Sequence, residues 1–446
     1  MRPANEPELQ GNLFSSRLDQ IIHLEHPLAR LARQMHWEEF DQEFGLCYDP
    51  ENGRPGISTR LMTGLHYLKY ANDLSDEATV EGFLENPYWQ YFCGETFFQH
   101  QLPIDSSTMT RWRKRIGEKG AEKLLKQTIE TAVQRGYLKP QQCKAVIVDT
   151  TVQEKNIAFP TDCRLYQKAL ETLVRKARKR KIRIRQSYSR NGKKALRDYG
   201  RYAHARQMKR ANQQKRKLKT WLGRVIREIE RMPELIDLQL ANDLDIAKRI
   251  HRQEKDSKNK VYSVHAPEVE CISKGKAHKK YEFGVKASIA TTHQNNWIVG
   301  AMTCPGNPYD GHTLENALRQ VQKFTGVVPE KSYCDKGYRG VKLNENISCE
   351  IIIPGKKSKT RLERRKIKRR SAIEPIIGHM KNDYRMERSR LKGKIGDALN
   401  VLFSAAGCNL KKLLRAFFHL IFPLLLFRLN PPDHLQTPTP LSWRLA

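Results

Sequence analysis

One stretch of the chain is strongly basic, and it separates the first strand-like segment from all the others. Residues 164–227 contain 24 Lys and Arg residues against two acids, which is a net charge of +22. An apolar run typical of a strand precedes this stretch at residues 145–148, whereas the next strand-like runs appear only after residue 260. A sheet that joins these strands must accommodate the basic stretch as an insertion. Amphipathic helical patterns flank residues 175–216, which are too polar to form a core. We therefore predict that residues 160–260 form a basic helical insertion, a helical hairpin with a basic tip, in an α/β domain.

A second stretch carries the rest of the excess charge. Residues 356–394 have 16 basic residues against four acids, a net charge of +12, while the whole chain of 446 residues has a net charge of +33. The remainder of the chain is therefore nearly neutral. A surface that served only solubility would intersperse both signs, so the two basic blocks indicate contact with a polyanion, and nucleic acid is the expected partner. The alternative is a solvated basic face or a disordered arm. This distribution excludes a small-molecule enzyme with an ordinary surface.

The remaining patterns divide the chain into three parts. Residues 1–138 have apolar side chains at helical spacing, and we predict an all-α DNA-binding domain there. Residues 139–415 combine strand-like runs with a helical pattern at residues 314–324, which predicts an α/β domain. Residues 416–446 are expected to form a C-terminal tail.

A short basic helix is predicted near the end of the N-terminal region. The sequence Asp105-Ser-Ser-Thr108 supplies residue types that cap helices, and Met109 and Trp112 then form an apolar stripe. Arg111 and Arg113 lie between the apolar positions. This pattern is typical of the recognition helix of a helix-turn-helix motif, so we predict that both arginines contact DNA. An ordinary surface helix would show the same pattern.

Three acidic residues stand where catalytic acids are expected. Asp149 follows the apolar run 145–148 directly, and Asp335 follows the short run 332–334. If these two strands are neighbours in one sheet, their carboxylates converge at a shared edge. Glu374 lies in a basic helical segment, so it is the third candidate.

Two basic residues accompany Glu374. Arg370 precedes it by four residues and Lys381 follows it by seven, and these spacings place all three on one helical face. Three converging carboxylates require cations, which makes a divalent-metal site plausible. Each acid also has a structural alternative, because the aspartates could cap strand ends and Glu374 could pair with Arg370. Asp162, which follows no apolar strand, is predicted to be structural.

Six short segments carry a family resemblance. They are Gly53-Arg-Pro with Arg60-Leu-Met-Thr-Gly-Leu-His-Tyr-Leu-Lys-Tyr70, Leu84-Glu-Asn-Pro-Tyr-Trp-Gln-Tyr-Phe-Cys-Gly94, Val148-Asp149-Thr-Thr-Val-Gln153, Asn156-Ile-Ala-Phe-Pro-Thr-Asp162, Tyr333-Cys-Asp335-Lys-Gly-Tyr-Arg-Gly340, and Arg370 to Lys381. Together they resemble the DDE transposases of bacterial insertion sequences, in the insertion sequence five family and its relatives, over roughly residues 12–415. The last segment matches the Arg-x3-Glu-x6-Lys part of the family signature. Ile367 stands where that signature usually has Tyr.

The resemblance implies that residues 139–415 form an RNase H-like catalytic domain with a mixed sheet, which cleaves and joins DNA at terminal inverted repeats by two-metal-ion phosphoryl transfer. It implies that Asp149, Asp335 and Glu374 hold two Mg²⁺ ions, for which Mn²⁺ can substitute, and that Arg370 and Lys381 hold phosphates of the transposon end. The implied partners are double-stranded DNA, both the inverted repeats and the target, and a second copy of the chain in a synaptic homodimer.

The expected location is the bacterial cytoplasm, in association with the nucleoid. Nine cysteines are scattered without a Cys-x-x-Cys pair, which excludes a zinc ribbon and suits reduced thiols. The most apolar run, residues 416–427, is shorter than the roughly 20 residues that span a bilayer, so no membrane partner is expected. Two alternatives to a transposase are open. A catalytically inactive, domesticated DNA-binding protein would keep the basic blocks, and an RNA-binding protein would explain the charge but not the acids.

Overall fold

The computed structural model of the protein describes residues 16–48, 56–273, 280–344, 347–355 and 360–429, with side chains up to residue 417. The first residues of the second basic block, 356–359, and most of the expected tail, 430–446, lie outside the described residues.

The N-terminal region is helical, as its apolar spacing predicts. Its helices are α1 (Leu18–Ile21), α2 (Pro27–Ala32), α3 (Trp37–Gly45), α4 (Thr59–Ala71), α5 (Asp76–Glu85), α6 (Pro87–Phe92) and α7 (Ser106–Gln134). The predicted start of α7 is confirmed, because the side chain of Asp105 accepts a hydrogen bond of 2.9 Å from the backbone N–H of Ser107. Helix α7 is kinked at Gly117, which has a φ of +60°.

The insertion is a four-helix unit rather than one hairpin. It contains α8 (Asp162–Lys179), α9 (Ser189–His204), α10 (Met208–Glu230) and α11 (Leu238–Arg252). These helices enclose a hydrophobic core of their own, which runs from Cys163 to Val261 and is separate from the main core. All four helices fall within residues 160–260, whereas the expectation of a polar tip without core contacts is wrong. Helix α9 joins the core through small side chains such as Ala195, and Tyr188 before it stacks on Trp221 with ring centroids 5.3 Å apart.

One mixed sheet forms the centre of the protein. Its strands are β1 (Ala145–Lys155), β2 (Glu270–Ile272), β3 (Glu282–Thr292), β4 (Ile298–Cys304), β5 (Lys331–Tyr333), β6 (Glu350–Ile352) and β7 (Arg388–Ser389). Strand β1 pairs antiparallel with β3, and β4 and β2 pair antiparallel with β3. On its other side β1 pairs parallel with β5, which pairs parallel with β6, and β7 pairs parallel with the far end of β1. The predicted α/β class is confirmed.

Helices cover the sheet after the insertion. They are α12 (Asp310–Thr325), α13 (Arg361–Lys368), α14 (Ile373–Asn382) and α15 (Gly393–Leu429). One face of the sheet shares a single core with the N-terminal helices, α12 and α15, so residues 1–138 and 139–415 do not have separate cores. Helix α15 joins them directly, because Tyr70 of α4 donates a hydrogen bond of 3.0 Å to Asn400 of α15. The tail was expected to begin at residue 416, but helix α15 continues through this apolar run to Leu429.

The opposite face of the sheet packs on α14. Residues Val146 and Val148 of β1 belong to the main core, whereas Ile147 between them forms a small second cluster with Tyr333 of β5 and Ile373 of α14. Successive strand residues point to opposite faces, so this alternation follows from the pleat. The small cluster fixes where α14 begins, and that position matters for the site.

Candidate active site

Asp149 lies inside β1, whereas the sequence predicted that it would lie at the end of the strand. The reason is β3, which pairs with β1 from Val146 to Glu154 and keeps the residues after Asp149 extended. Parallel pairing with β5, however, ends at Ile147, which is opposite Tyr333. Asp149 therefore lies just beyond the point where the pairing of β1 with β5 ends.

Asp335 takes the matching position on the neighbouring strand. It lies two residues beyond Tyr333, just as Asp149 lies two residues beyond Ile147. Its backbone is still extended, and its carboxylate accepts a hydrogen bond of 2.8 Å from the backbone N–H of Gly337. Burial raises the pKa of the intervening Cys334 thiol to about 12, and the negative charges of Asp335 and Asp149 both add to this rise. The structure thus brings the first two predicted acids together.

Glu374 is joined to Asp149 through Arg370. Because Ile373 packs under β1 and β5, Glu374 falls in the first turn of α14, next to this face of the sheet. One Nη of Arg370 lies 3.2 Å from the carboxylate of Glu374, and the other lies 3.8 Å from that of Asp149. The side chain of Glu374 is 60% exposed, whereas those of Arg370 and Asp149 are mostly covered. The third acid therefore stands at the rim of the site.

The segment around Glu374 is not one continuous helix. Arg370 lies in a 3-10 turn between α13 and α14, while Glu374 and half-buried Lys381 lie in the first and last turns of α14. Arg370 and Glu374 nevertheless share a face, because their side chains form an ion pair four residues apart, and Lys381 follows Glu374 by two helical turns. Two hydrogen bonds with His293 fasten this turn to the end of β3: Nε2 of His293 donates to the carbonyl of Lys366, and Arg369 donates to the carbonyl of His293.

Ile367 makes an apolar contact where the signature usually has Tyr. It is half-buried against the cluster of Ile147, Tyr333 and Ile373. Ile367 therefore contributes apolar packing beneath the sheet. Unlike Tyr, it has no hydroxyl that could hydrogen-bond to a ligand.

A fourth carboxylate, missed by the sequence reasoning, adjoins the first two. Asp310 begins α12, and its Oδ1 accepts hydrogen bonds of 2.9 Å from both the hydroxyl of Thr150 and Nζ of Lys286. A Cβ on Gly337 would lie 3.5 Å from Oδ2 of Asp310 and 3.0 Å from Oδ1 of Asp335, so this glycine keeps the space between the two carboxylates open. In the sequence Asp310-Gly-His-Thr313 this aspartate has the pattern of a helix start, and no local signal links it to Lys286.

The three acids carry ligand atoms of the kind that a divalent cation requires. Asp149, Asp335 and Glu374 offer only carboxylate oxygens, the ligands that hard cations such as Mg²⁺ prefer. The Arg370 guanidinium already places positive charge between Asp149 and Glu374. Among the described residues, no three Asp, Glu, His or Cys side chains are close enough to hold a metal ion as they stand. The donor chemistry of the three acids suits Mg²⁺, although their carboxylates are not grouped closely enough to hold an ion as they stand.

The two arginines predicted to contact DNA have different surroundings. Arg111 is exposed on α7 and bonds only to hydroxyls of the preceding turn, Ser107 and Thr108. Arg113 is buried, and its guanidinium binds both oxygens of Asp76 at 2.8 and 2.6 Å. A side chain that is 3% exposed and fully engaged cannot reach a base edge. We therefore reassign Arg113 to the N-terminal core and keep Arg111 as the DNA-contact candidate.

Asp162 lies apart from the acids. It begins α8 and forms an ion pair with Lys215 of α10 inside the insertion. This contact agrees with the structural role predicted for it.

An acidic centre on a mixed sheet, with the basic segment of α13 and α14 beside it, is the arrangement expected of a protein that acts on nucleic acid. Residues 16–115 match the family described as "Transposase domain (DUF772)", and residues 247–410 match the family described as "Transposase DDE domain". The chain belongs to the DDE transposases of insertion sequences, a family that generally uses divalent metal ions. The second match contains Asp335 and Glu374, whereas Asp149 precedes it on the other side of the insertion.

A relative from Rhizobium meliloti covers part of the chain. It is named "Uncharacterized protein ORF8 in nfe locus", and it is 56% identical over 207 residues, which is 46% of this chain and all of the relative. No solved structure matches the chain significantly. In the part of the chain that the structure describes, no helix is long and apolar enough to cross a membrane.

Proposed function

We propose that the protein cleaves the ends of its insertion sequence at their terminal inverted repeats and joins them to target DNA, with Asp149, Asp335 and Glu374 as the catalytic acids. The observation that carries this proposal is the matching position of the two aspartates on adjacent parallel strands, with Glu374 linked to Asp149 through Arg370. An inactive, domesticated binder would have no need to keep this arrangement.

We further propose that the sheet is RNase H-like. The strand order supports this, because three antiparallel strands, β4, β3 and β1, are followed by two parallel strands, β5 and β6. In such a sheet the first acid lies on the central strand and the second on the adjacent parallel strand. The insertion then occupies the connection between β1 and β3.

In the proposed mechanism the three carboxylates hold Mg²⁺, which when bound activates the attacking water or 3′-hydroxyl and stabilises the charge on the phosphate. Arg370 holds a phosphate of the transposon end beside Asp149, because it already faces the site from the 3-10 turn. Lys381 holds a second phosphate, two helical turns beyond Glu374 along α14. Lys286 restrains Asp310 and, through it, Thr150 next to Asp149.

The proposed partners follow from this reaction. The protein binds double-stranded DNA, both the inverted repeats and the target, and acts as a homodimer because two ends must be brought together. We place its action at the nucleoid in the bacterial cytoplasm, where its DNA substrate lies.

Incubation with a labelled duplex that carries the inverted repeats flanking the gene tests the function. We expect cleavage at the repeat boundary when Mg²⁺ is present, and none on a duplex of scrambled sequence. Failure to cleave the flanking repeats in Mg²⁺ or Mn²⁺, with the duplex bound, would favour the inactive binder.

The basic side chains of the insertion are expected to bind DNA phosphates without sequence specificity. Four exposed cations of α10 and the preceding turn can be changed together to Gln: Arg206, Lys209, Arg216 and Lys217. Because each neutralised phosphate contributes a slope of about −0.9 to log K against log salt, the variant should bind any duplex more weakly and show a slope flattened by up to about 3–4 units. Gel shifts at several salt concentrations measure both quantities.

The matched control removes the same number of exposed cations outside both basic blocks, at Lys119, Arg135, Lys139 and Lys331. This control should keep the wild-type slope. A loss confined to end-specific binding in the insertion variant would show that the insertion reads sequence instead.

Arg111 is expected to contact a base at the transposon end. Arg111→Gln should weaken binding to the cognate end by roughly 1–3 kcal/mol and reduce discrimination against scrambled DNA. Competition gel shifts with both duplexes measure the difference. Equal losses on both duplexes would make Arg111 a backbone contact, and no loss on either would make α7 an ordinary surface helix.

A further inference from the structure

Asp310 reaches β1 from the face of the sheet opposite to Arg370. Successive strand residues point to opposite faces, so Asp149 faces Arg370 whereas Thr150 faces α12. Oδ1 of Asp310, at the start of α12, accepts a hydrogen bond of 2.9 Å from the buried hydroxyl of Thr150. The part of β1 that carries the first acid is therefore held from both faces.

Thr150 contacts both carboxylates. Its backbone N–H donates a hydrogen bond of 2.7 Å to Oδ1 of Asp149, while its hydroxyl donates to Asp310. A displacement of Thr150 would shift the carboxylate of Asp149, and the bond to Asp310 opposes that displacement. Asp310 thus restrains the first acid without touching it.

Lys286 of β3 holds Asp310 in place. Its Nζ donates to Oδ1 of Asp310 at 2.9 Å and to the carbonyl of Pro308 at 2.6 Å, and its side chain is 8% exposed. A buried ammonium without an acidic partner is strongly unfavourable, so the pair forms a fixed unit. Asp310 at the same time neutralises a positive charge that would otherwise lie beside the acids.

The second oxygen of Asp310 borders the same space as Asp335. Both hydrogen bonds from Thr150 and Lys286 go to Oδ1, and neither occupies Oδ2. The gap left by the missing Cβ of Gly337 has Oδ2 of Asp310 on one side and the carboxylate of Asp335 on the other. Asp310 is therefore connected to both aspartates of the site.

The arrangement favours a positioning role for Asp310 over a role as a metal ligand. Among the described residues, Asp310 included, no three such side chains are grouped closely enough to hold an ion. Groups that hydrogen-bond to metal ligands orient those ligands, and losing one typically costs 10–100-fold in metal affinity or activity.

We propose that Asp310 is a positioning residue that sets the affinity of the active site for its divalent cation. Through Thr150 it fixes the carboxylate of Asp149, and with its second oxygen it limits the space beside Asp335. This inference rests on the proposed function, in which Asp149 and Asp335 hold the cation.

The first test removes only the link between Asp310 and Thr150. Thr150→Val keeps a β-branched side chain, which suits a strand, but lacks the hydroxyl. We expect Mn²⁺ to bind the full-length variant about 10–100-fold more weakly than the wild type. Electron paramagnetic resonance of free Mn²⁺ measures the affinity, and the binding that Asp149→Ala abolishes is counted as binding at the site.

Thr291→Val is the matched control. Thr291 is also buried in the sheet, on β3, and its hydroxyl has no hydrogen-bond partner among the described residues. This variant should keep the wild-type affinity for Mn²⁺. Equal affinities of the Thr150 variant and the wild type would overturn the proposed link.

The second test removes Asp310 without changing the net charge of the site. Asp310→Ala combined with Lys286→Met deletes one negative and one positive charge and leaves no buried charge unpaired. We again expect Mn²⁺ to bind about 10–100-fold more weakly, an effect that net charge does not explain. Circular dichroism checks that the variant is folded, and wild-type affinity in the folded variant would contradict the proposal.

Cleavage distinguishes positioning from a general structural role. For Thr150→Val the Mg²⁺ concentration at half-maximal cleavage should rise by about the same 10–100-fold, while the rate at saturating Mg²⁺ approaches that of the wild type, because the three acids are intact. A rate that falls at every Mg²⁺ concentration without this shift would show that Thr150 only supports the fold.

The proposal and the proposed function fail in different ways. If Mn²⁺ binding depends on Asp149 but neither on Thr150 nor on Asp310, the positioning role is wrong and the three catalytic acids are unaffected. If the wild type shows no Asp149-dependent binding of Mn²⁺ and does not cleave the transposon end, the proposed function itself is wrong.

Discussion

Alanine in place of Asp149, Asp335 or Glu374 is expected to reduce cleavage and joining of transposon ends by at least roughly 1,000-fold, while binding of the ends stays near the wild-type level. The acids act on the reacting phosphate through the metal, whereas affinity for DNA comes mostly from the basic blocks. Binding should even become slightly tighter, because each change removes a negative charge. Mg²⁺-dependent nicking of a labelled end, beside a gel shift in Ca²⁺, separates the two effects.

Asp162→Ala is the matched control for these acids. It removes an aspartate thirteen positions after Asp149 in the sequence, but one that pairs with Lys215 inside the insertion, so the folded variant should keep its activity. Cleavage that survives the loss of Glu374 would refute the proposed triad, and full activity without any divalent metal would refute the mechanism.

Asp76→Asn is expected to lower the free energy of unfolding by about 3–5 kcal/mol. The carboxylate binds Arg113 through both oxygens and lies 2.5 Å from Nζ of Lys69, and these two cationic side chains are 4% and 5% exposed. Without Asp76, two buried positive charges would face each other unpaired. Urea unfolding followed by circular dichroism measures the change, and Glu77→Gln, at the neighbouring exposed acid, should change stability by no more than about 0.5 kcal/mol.

The same ion cluster predicts a dependence on pH. Burial alone would raise the pKa of Asp76, but the hydrogen bonds from Arg113 and the charges of Lys69 and Arg113 hold that pKa well below its usual value. Its contribution to stability is therefore fully present above the unfolded pKa of about 4 and is lost as the pH falls below that value. Asp76→Asn should remove this part of the acid sensitivity, and an unchanged profile would mean that the cluster does not stabilise the fold.

The sequence singles out the three acids as candidates because their signals are local. An apolar run followed by an acid marks Asp149 and Asp335, and the family signature marks Glu374. The length of β1 could not be predicted in the same way, since its second half is held extended by pairing with β3, far away in the sequence. The α/β class needed only the order of elements, whereas the sharing of one core between the N-terminal helices and the sheet depends on α15, at the other end of the chain.

The wrong prediction for Arg113 and the failure to predict Asp310 have the same physical cause. Arg113 has the spacing of a DNA-contact residue, and only the fold of α4 and α5 brings Lys69 and Asp76 against it. Asp310 has the sequence signature of a helix start, and only the sheet brings Thr150 and Lys286 to its carboxylate. A local pattern shows which side chains a helix or strand presents, but not which distant partners meet them.

The position of the insertion has a consequence for how the chain folds during synthesis. β1 is the central strand, yet its antiparallel partner β3 begins only at Glu282, after the whole insertion has been made. At about 5–20 residues per second, a ribosome takes roughly 6–25 s to make the residues from the end of β1 to the start of β3. During that time β1 has no β3 strand with which to pair. Because the insertion has a core of its own, it can fold in that interval and bring its two ends together, which shortens the loop that β1 and β3 must close.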